Sequence, residues 1–183
     1  MLELRNICFS AEEDGVKKEI LKNINLTIDE RFVAITGPNG GGKSTLIKLI
    51  SGVLTPTSGQ ILLDGEDITN LSITERANKG ISYAFQQPVR FKGITVFDLV
   101  KLASGKDLTV SEACEYLSEV GMCARDYVNR EVNGSLSGGE LKRIEIATIL
   151  ARATKLSLFD EPEAGIDLWS FGSLISVFEN LYK

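Results

Sequence analysis

Residues 37–44 read Gly37, Pro38, Asn39, Gly40, Gly41, Gly42, Lys43, Ser44, with Thr45 next, and two apolar runs of different character flank them. Before them, Arg31-Phe-Val-Ala-Ile-Thr36 is continuous and β-branched, the pattern of a buried strand. After them, Thr45-Leu-Ile-Lys-Leu-Ile50 reads as a helix. A strand, a glycine-rich loop and a helix in this order leave few folds open. The octet fits G-x-x-x-x-G-K-[ST], a loop whose backbone amides turn inward and cradle phosphate oxygens. The helix start aims the positive end of its dipole at the same anion. Lys43 is then placed to reach the β- and γ-phosphates, and Ser44 to hold Mg²⁺. The plain alternative is a glycine-rich turn with a chance lysine, against which the flanking strand and helix argue.

The bulk properties narrow the partners. With 183 residues, 43% of them hydrophobic, the chain can bury one core and a small second lobe. A net charge of −5 gives no general attraction for nucleic acid or anionic lipid. No apolar stretch approaches the roughly 20 residues needed to span a bilayer. The opening Met1-Leu-Glu-Leu-Arg-Asn6 has no secretory character, so the expected place is the cytoplasm, with any membrane association made through a partner. Cys8, Cys114 and Cys123 have no paired spacing and read as small buried hydrophobes without disulfides. The chain has no histidine, which removes imidazole bases and imidazole metal ligands.

Three stretches organise the chain. Residues 1–87 are rich in strand: an opening strand through Leu2, Leu4 and Ile7–Phe9, a turn at Glu12–Gly15, and a second strand at Ile20–Ile28. The loop and its helix follow, then a strand at Gln60–Leu63 closed by an Asp64-Gly65 turn. A short helix at Ser72–Lys79 ends on Gly80, and Ile81–Phe85 is a further strand. Residues 88–134 carry helix-spaced apolar positions at Thr95–Leu102 and Val110–Val120, a small helical subdomain. Residues 135–183 open on a helix running to about Arg152, continue as an apolar strand Lys155–Phe159, and end on a helix at Leu168–Tyr182.

Two further motifs carry chemistry. Leu136-Ser137-Gly138-Gly139-Glu140 opens a helix, and Ser137 with Glu140 has the capping-box spacing S-x-x-E. A cap does not need two glycines, and Ser-Gly-Gly at a helix start offers a row of amides, a second anion site. The strand ending at Phe159 runs into Asp160 and Glu161. In a chain with a phosphate loop, an acid at such a strand end suits Mg²⁺ coordination, and the next carboxylate suits a general base on water. Two solvated loop acids are the plain alternative.

Taken in order, the phosphate loop, a Gln after the strand Ile81–Phe85, the Ser137–Glu140 motif, Leu158-Phe-Asp-Glu161 and Ala164-Gly-Ile-Asp167 resemble the ATP-binding-cassette (ABC) ATPases over essentially the whole chain. The resemblance implies an α/β fold: a P-loop NTPase core with a mixed or parallel sheet, an antiparallel β subdomain and a small helical subdomain. It implies ATP and Mg²⁺ as ligands. The ATP lies between two head-to-tail cassettes, residues 37–45 of one facing Ser137, Gly138, Gly139 and Glu140 of the other. By the same match Gln86 touches Mg²⁺ and the attacking water, with Gln87 the alternative. Asp160 joins Ser44 at the metal, Glu161 polarises the water, and Asp167 lies at the dimer seam.

Within that family, Ala84-Phe-Gln-Gln-Pro-Val89 with Gly93, and Arg130–Glu140 with the continuation Lys142-Arg143-x-Glu145, are similar to the Suf iron–sulfur assembly ATPase. That resemblance implies a soluble scaffold partner; the alternative is a transmembrane transporter subunit. A hydrolysis-deficient nucleotide-binding module and a DNA-repair cassette are further readings, the latter without room for its coiled coil. The adenine-stacking aromatic falls near Ala11, which cannot stack, with Phe9 two residues earlier. The family's switch histidine and last core strand have no counterpart, so truncation and reduced ATP turnover are expected.

Overall fold

The computed structural model describes all residues except Asp14, Ile166, Asp167 and Lys183. These residues form two compact units, 1–81 and 82–183.

In the first unit Leu2 and Leu4 are buried while Glu3 and Arg5, which alternate with them, pair at 2.6 Å, the period-2 alternation of a half-buried strand. This strand, β1 (Leu2–Glu13), runs antiparallel to β2 (Val16–Ile28) and to β3 (Ser58–Leu63), and β4 (Glu66–Asp67) completes the order β2-β1-β3-β4. β3 and β4 are joined through Asp64 and Gly65, both at positive φ (52° and 82°), which matches the twist of a tight hairpin. A register shift in β1 between Arg5 and Cys8 brings the backbone of Asn6 against Gly59, where an added Cβ would lie 2.5 Å from the Asn6 carbonyl oxygen. Another shift, between Phe9 and Ser10, interrupts the alternation that would relate Phe9 to Ala11.

The helices α1 (Lys43–Ser51) and α2 (Ile73–Asn78) belong to this unit. Leu46, Leu49 and Ile50 of α1 are buried, as are Ile7, Leu21, Ile61 and Ile68. Arg76 of α2 is 1% exposed, and its guanidinium donates to the carbonyls of Leu49 (2.6 Å), Ile50 (2.8 Å), Thr69 (2.7 Å) and Leu71 (3.1 Å). It thereby gives the Ile50 carbonyl a donor and adds a second donor to the Leu49 carbonyl, which the Gly52 amide reaches at 3.3 Å, at the C-terminal end of α1. Burial pulls its pKa down from the usual arginine value. Nothing in the sequence marked Arg76 for this role.

One expected strand is absent. Residues 31–36 lie in no strand, and Phe32, Val33 and Ile35 are exposed at 51%, 42% and 37%. An apolar β-branched run becomes a strand only where a neighbour accepts its ladder, and neither sheet among the described residues includes this segment.

The second unit is centred on α6 (Gly138–Arg152). Leu141, Lys142, Ile144, Ile146, Ala147 and Ile149 are all buried, so this helix is covered on most of its faces rather than on one stripe. The helices α3 (Val96–Ser104), α4 (Val110–Glu119), α5 (Ala124–Tyr127) and α7 (Leu168–Tyr182) complete the helical set. Val96, Val100, Leu117, Ile144, Ala147 and Val177 share one core. A two-stranded sheet pairs β5 (Ile81–Ala84) with β6 (Leu156–Phe159), and Phe159 meets Phe178 edge-on at 5.0 Å. Three helices of this unit begin on side-chain caps: Thr95–Asp98, Thr109–Glu112 and Ser137–Glu140 are reciprocal capping boxes, as is Ser72–Glu75 in the first unit. Of the cysteines, Cys8 and Cys114 are half-buried, but Cys123 is exposed, because it stands outside the first turn of the short α5.

Candidate functional site

The phosphate-loop residues occupy the approach to α1 in the first unit. Gly40 (φ 75°) and Gly42 (φ 84°) take left-handed conformations that side chains resist, and a Cβ on Gly42 would lie 2.7 Å from Leu21 Cδ2. The Gly41 amide donates to the Pro38 carbonyl at 3.1 Å, which closes the turn through Asn39 and Gly40. Gly42 is the N-cap of α1 and offers no side-chain acceptor, and no acidic residue lies in the first turn. A helix start built this way leaves its positive end to an external anion. Lys43 Nζ donates to the carbonyls of Gly37 and Pro38, at 2.8 Å each. The lysine thus lies folded along the loop it belongs to. Ser44 and Thr45 follow as the second and third residues of α1.

Gln86 and Glu161, 75 positions apart in sequence, come together in the second unit, with Asp160 next to Glu161 in the chain. Gln86 follows β5, and its Nε2 donates to Glu161 Oε2 at 2.7 Å. Asp160, at the end of β6, is 3% exposed, and its amide donates to the Ala84 carbonyl at 3.3 Å. Glu161 is exposed and has φ 47°, left-handed for a residue with a Cβ, a backbone strain on the order of 1 kcal/mol. Tyr83 Oη donates to Asp160 Oδ2 at 3.3 Å; burial first, then the Asp160 charge, raise the Tyr83 pKa well above the usual phenol value. The buried Asp160 carboxylate and the neighbouring exposed Glu161 form a hard oxygen donor beside a reachable base, a set that fits Mg²⁺ chemistry. Gln87 is exposed.

Ser137, Gly138, Gly139 and Glu140 stand at the start of α6. The Glu140 amide donates to Ser137 Oγ at 3.2 Å, and the Ser137 amide donates to Glu140 Oε2 at 2.6 Å. Ser137 and Gly138 are exposed, and a Cβ on Gly138 would meet nothing within 4 Å. The chain's own packing therefore does not require glycine there. Glu140 Oε1 also accepts from Tyr127 Oη, and Arg130 lies 4.0 Å away while its guanidinium sits 5.0 Å from the Tyr127 ring. These contacts, with the Tyr127 bond largest and the Ser137 amide next, hold the Glu140 carboxyl below its usual range. Tyr127 and Tyr83 carried no signal in the sequence. Asp167 lies outside the described residues.

The comparisons with known proteins converge. The pattern describing the ABC transporter family matches residues 21–164. An uncharacterized ABC transporter ATP-binding protein of Methanocaldococcus jannaschii is 42% identical over 173 residues, covering 90% of this chain and 69% of its own length. The lipopolysaccharide export system ATP-binding protein LptB of Haemophilus influenzae is 33% identical, over 90% of this chain and 70% of that protein. Among solved structures, the dimeric post-hydrolysis state of the ATP-binding cassette MJ0796 bound to ADP and Pi superposes with a TM-score of 0.88 at 28% identity, covering all of this chain and 83% of that one. The chain belongs to the ABC transporter ATP-binding cassettes. It has the cassette fold, and it is an ATPase of the class that binds ATP with Mg²⁺. Among the described residues no helix is long and apolar enough to cross a membrane.

Proposed function

We propose that this chain is the nucleotide-binding subunit of an ABC transporter, hydrolysing MgATP between two head-to-tail copies and driving a transmembrane partner. The observation that carries the chemistry is the meeting of Gln86 with Glu161 beside the buried Asp160. Residues Gly37 to Thr45 hold the triphosphate, with Lys43 leaving the Gly37 and Pro38 carbonyls for the β- and γ-phosphates. Ser44, Asp160 and Gln86 hold Mg²⁺, which when bound neutralises phosphate charge. Glu161 takes the proton of the attacking water once Gln86 releases it. The Ser137–Gly139 segment of the other copy presents α6 amides to the same phosphates, stabilising charge as it develops. Asp167 is assigned to the seam between the copies.

The names of the relatives support a transmembrane partner over the soluble iron–sulfur scaffold. Both are transporter or export ATP-binding proteins, and the matching family is that of ABC transporters. Two measurements test the reading. Glu161→Gln should keep MgATP affinity within about twofold while turnover falls by 10² or more, as loss of a general base requires. Normal turnover by this variant would remove Glu161 from the mechanism. Native purification of the protein with its associated chains should recover a polytopic membrane protein; recovery of a soluble scaffold instead would restore the iron–sulfur reading and leave the ATP chemistry as it stands.

A further inference from the structure

Lys142 lies just beyond the Ser137–Glu140 cap of α6, on a helix where Leu141, Ile144, Ile146 and Ala147 are also buried, and it is fully buried. A buried ammonium survives only with strong partners, and Lys142 Nζ has two: it donates to the Phe85 carbonyl and is ion-paired with Glu145 Oε2 at 3.3 Å. Glu145, one turn further on the same helix, uses its other oxygen, Oε1, to accept from the Phe85 amide at 2.9 Å. The two side chains therefore grip both peptide groups that flank the Phe85 Cα. The carbonyl taken by Lys142 belongs to the peptide bond joining Phe85 to Gln86. Beyond that bond, Gln86 reaches Glu161 at 2.7 Å.

The geometry points to Lys142 and Glu145 as positioning residues: as a pair they fix the Phe85 backbone and so hold Gln86 within hydrogen-bond reach of Glu161, tying α6 to the carboxylate that acts on water. This rests on the roles given to Gln86 and Glu161 above. The hold is specific because it is costly to leave. If the Phe85 backbone moves away, the buried ammonium loses its carbonyl acceptor and the half-buried carboxylate its amide donor, which leaves each only the other. Burial already pushes the Glu145 carboxyl above its ordinary pKa, against the opposing pull of Lys142 and the Phe85 amide. The helix carrying the grip is also the helix whose first turn is assigned to the other copy's phosphates. A shift of α6 on engagement is passed to Gln86 through two bonds rather than through a flexible loop. The Phe85 ring, stacked obliquely on Tyr83 at 4.5 Å, adds a contact toward the residue that binds Asp160.

The test is a cycle of variants in the full chain. Lys142→Met with Glu145→Leu replaces the buried pair by apolar side chains of similar volume, an exchange that buried ion pairs often tolerate. MgATP affinity should stay within about twofold and kcat should fall on the order of tenfold to a hundredfold, as for misplacement of a positioned group. Gln86→Ala should lower kcat as well, and adding the pair of substitutions to Gln86→Ala should lower it no further, because there is no longer anything to position. Losses that multiply in the combined variant would overturn the proposal, as would an unchanged kcat in the pair variant or in Gln86→Ala. Should the pair variant fail to fold, Lys142→Met alone, which leaves Glu145 free to take a proton, enters the same cycle with the same expectations. Glu161→Gln, run alongside, separates the two ideas. Turnover surviving that substitution defeats the site assignment itself, whereas turnover lost there with multiplying effects at 142 and 145 defeats only the positioning role.

Discussion

Gly59 and Glu161 both depart from ordinary backbone conformations, for opposite reasons. Gly59 has φ 97° and stands where the bulged β1 backbone presses closest, so its lack of a side chain is a packing necessity. Gly59→Ala should destabilise the protein by about 1–3 kcal/mol, combining overpacking against Asn6 with a conformation alanine resists, and urea unfolding of the two proteins would measure it. A difference near zero would mean that β1 shifts freely at Asn6. Glu161 carries a side chain at φ 47°. Strain of that kind concentrates where a side chain must point in one direction, and here it points at Gln86. The acids at 160 and 161 were legible from sequence because chemistry restricts residue type. Tyr83 was not, since a tyrosine in an apolar strand looks the same whether or not its hydroxyl finds a carboxylate.

At the scale of elements, α6 shows how far a local rule reaches. The capping spacing of Ser137 and Glu140 was readable, and the reciprocal bonds are present at 3.2 and 2.6 Å. The bond from Tyr127 was not readable, because it comes from a different helix. It holds the Glu140 carboxyl below the usual glutamate range. A carboxyl lowered in the folded state stabilises fully above its unfolded value, and that contribution is lost as pH falls through the folded value. Replacing Tyr127 by Phe removes the largest cause. The Glu140 carboxyl, followed by NMR, should then titrate at a higher pH than in the parent, and the cap should weaken earlier on acidification. A titration that does not move would show that the Ser137 amide alone sets it. The residue 31–36 segment is the contrary case. Its β-branched run was read as a strand, yet strand formation depends on a partner ladder that no local pattern encodes.

At the scale of the whole molecule, function is assigned to a pair of cassettes rather than to one. Ser137 and Gly138 are exposed and unneeded by internal packing, as expected of a surface reserved for the second copy's nucleotide. Ser137→Trp should leave ATP binding to a single chain intact while blocking closure. In a Glu161→Gln background, MgATP should shift the parent to a dimer by light scattering coupled to size-exclusion chromatography, and the tryptophan variant should remain monomeric. Dimer formation by that variant would place the ATP-sharing surface elsewhere.

The amino-acid order by itself determined the phosphate loop, the cap at Ser137, the acids at 160 and 161, and the turns at Gly65 and Gly80. Each follows from a side chain, or its absence, acting on neighbours a few residues away. Only the tertiary structure decided that Gln86 meets Glu161, that Arg76 closes the end of α1, and that Lys142 and Glu145 grip Phe85. These contacts join residues 75, 27, 57 and 60 positions apart. A buried charge has to find its partner wherever packing places one, and that choice exists only once the chain has folded.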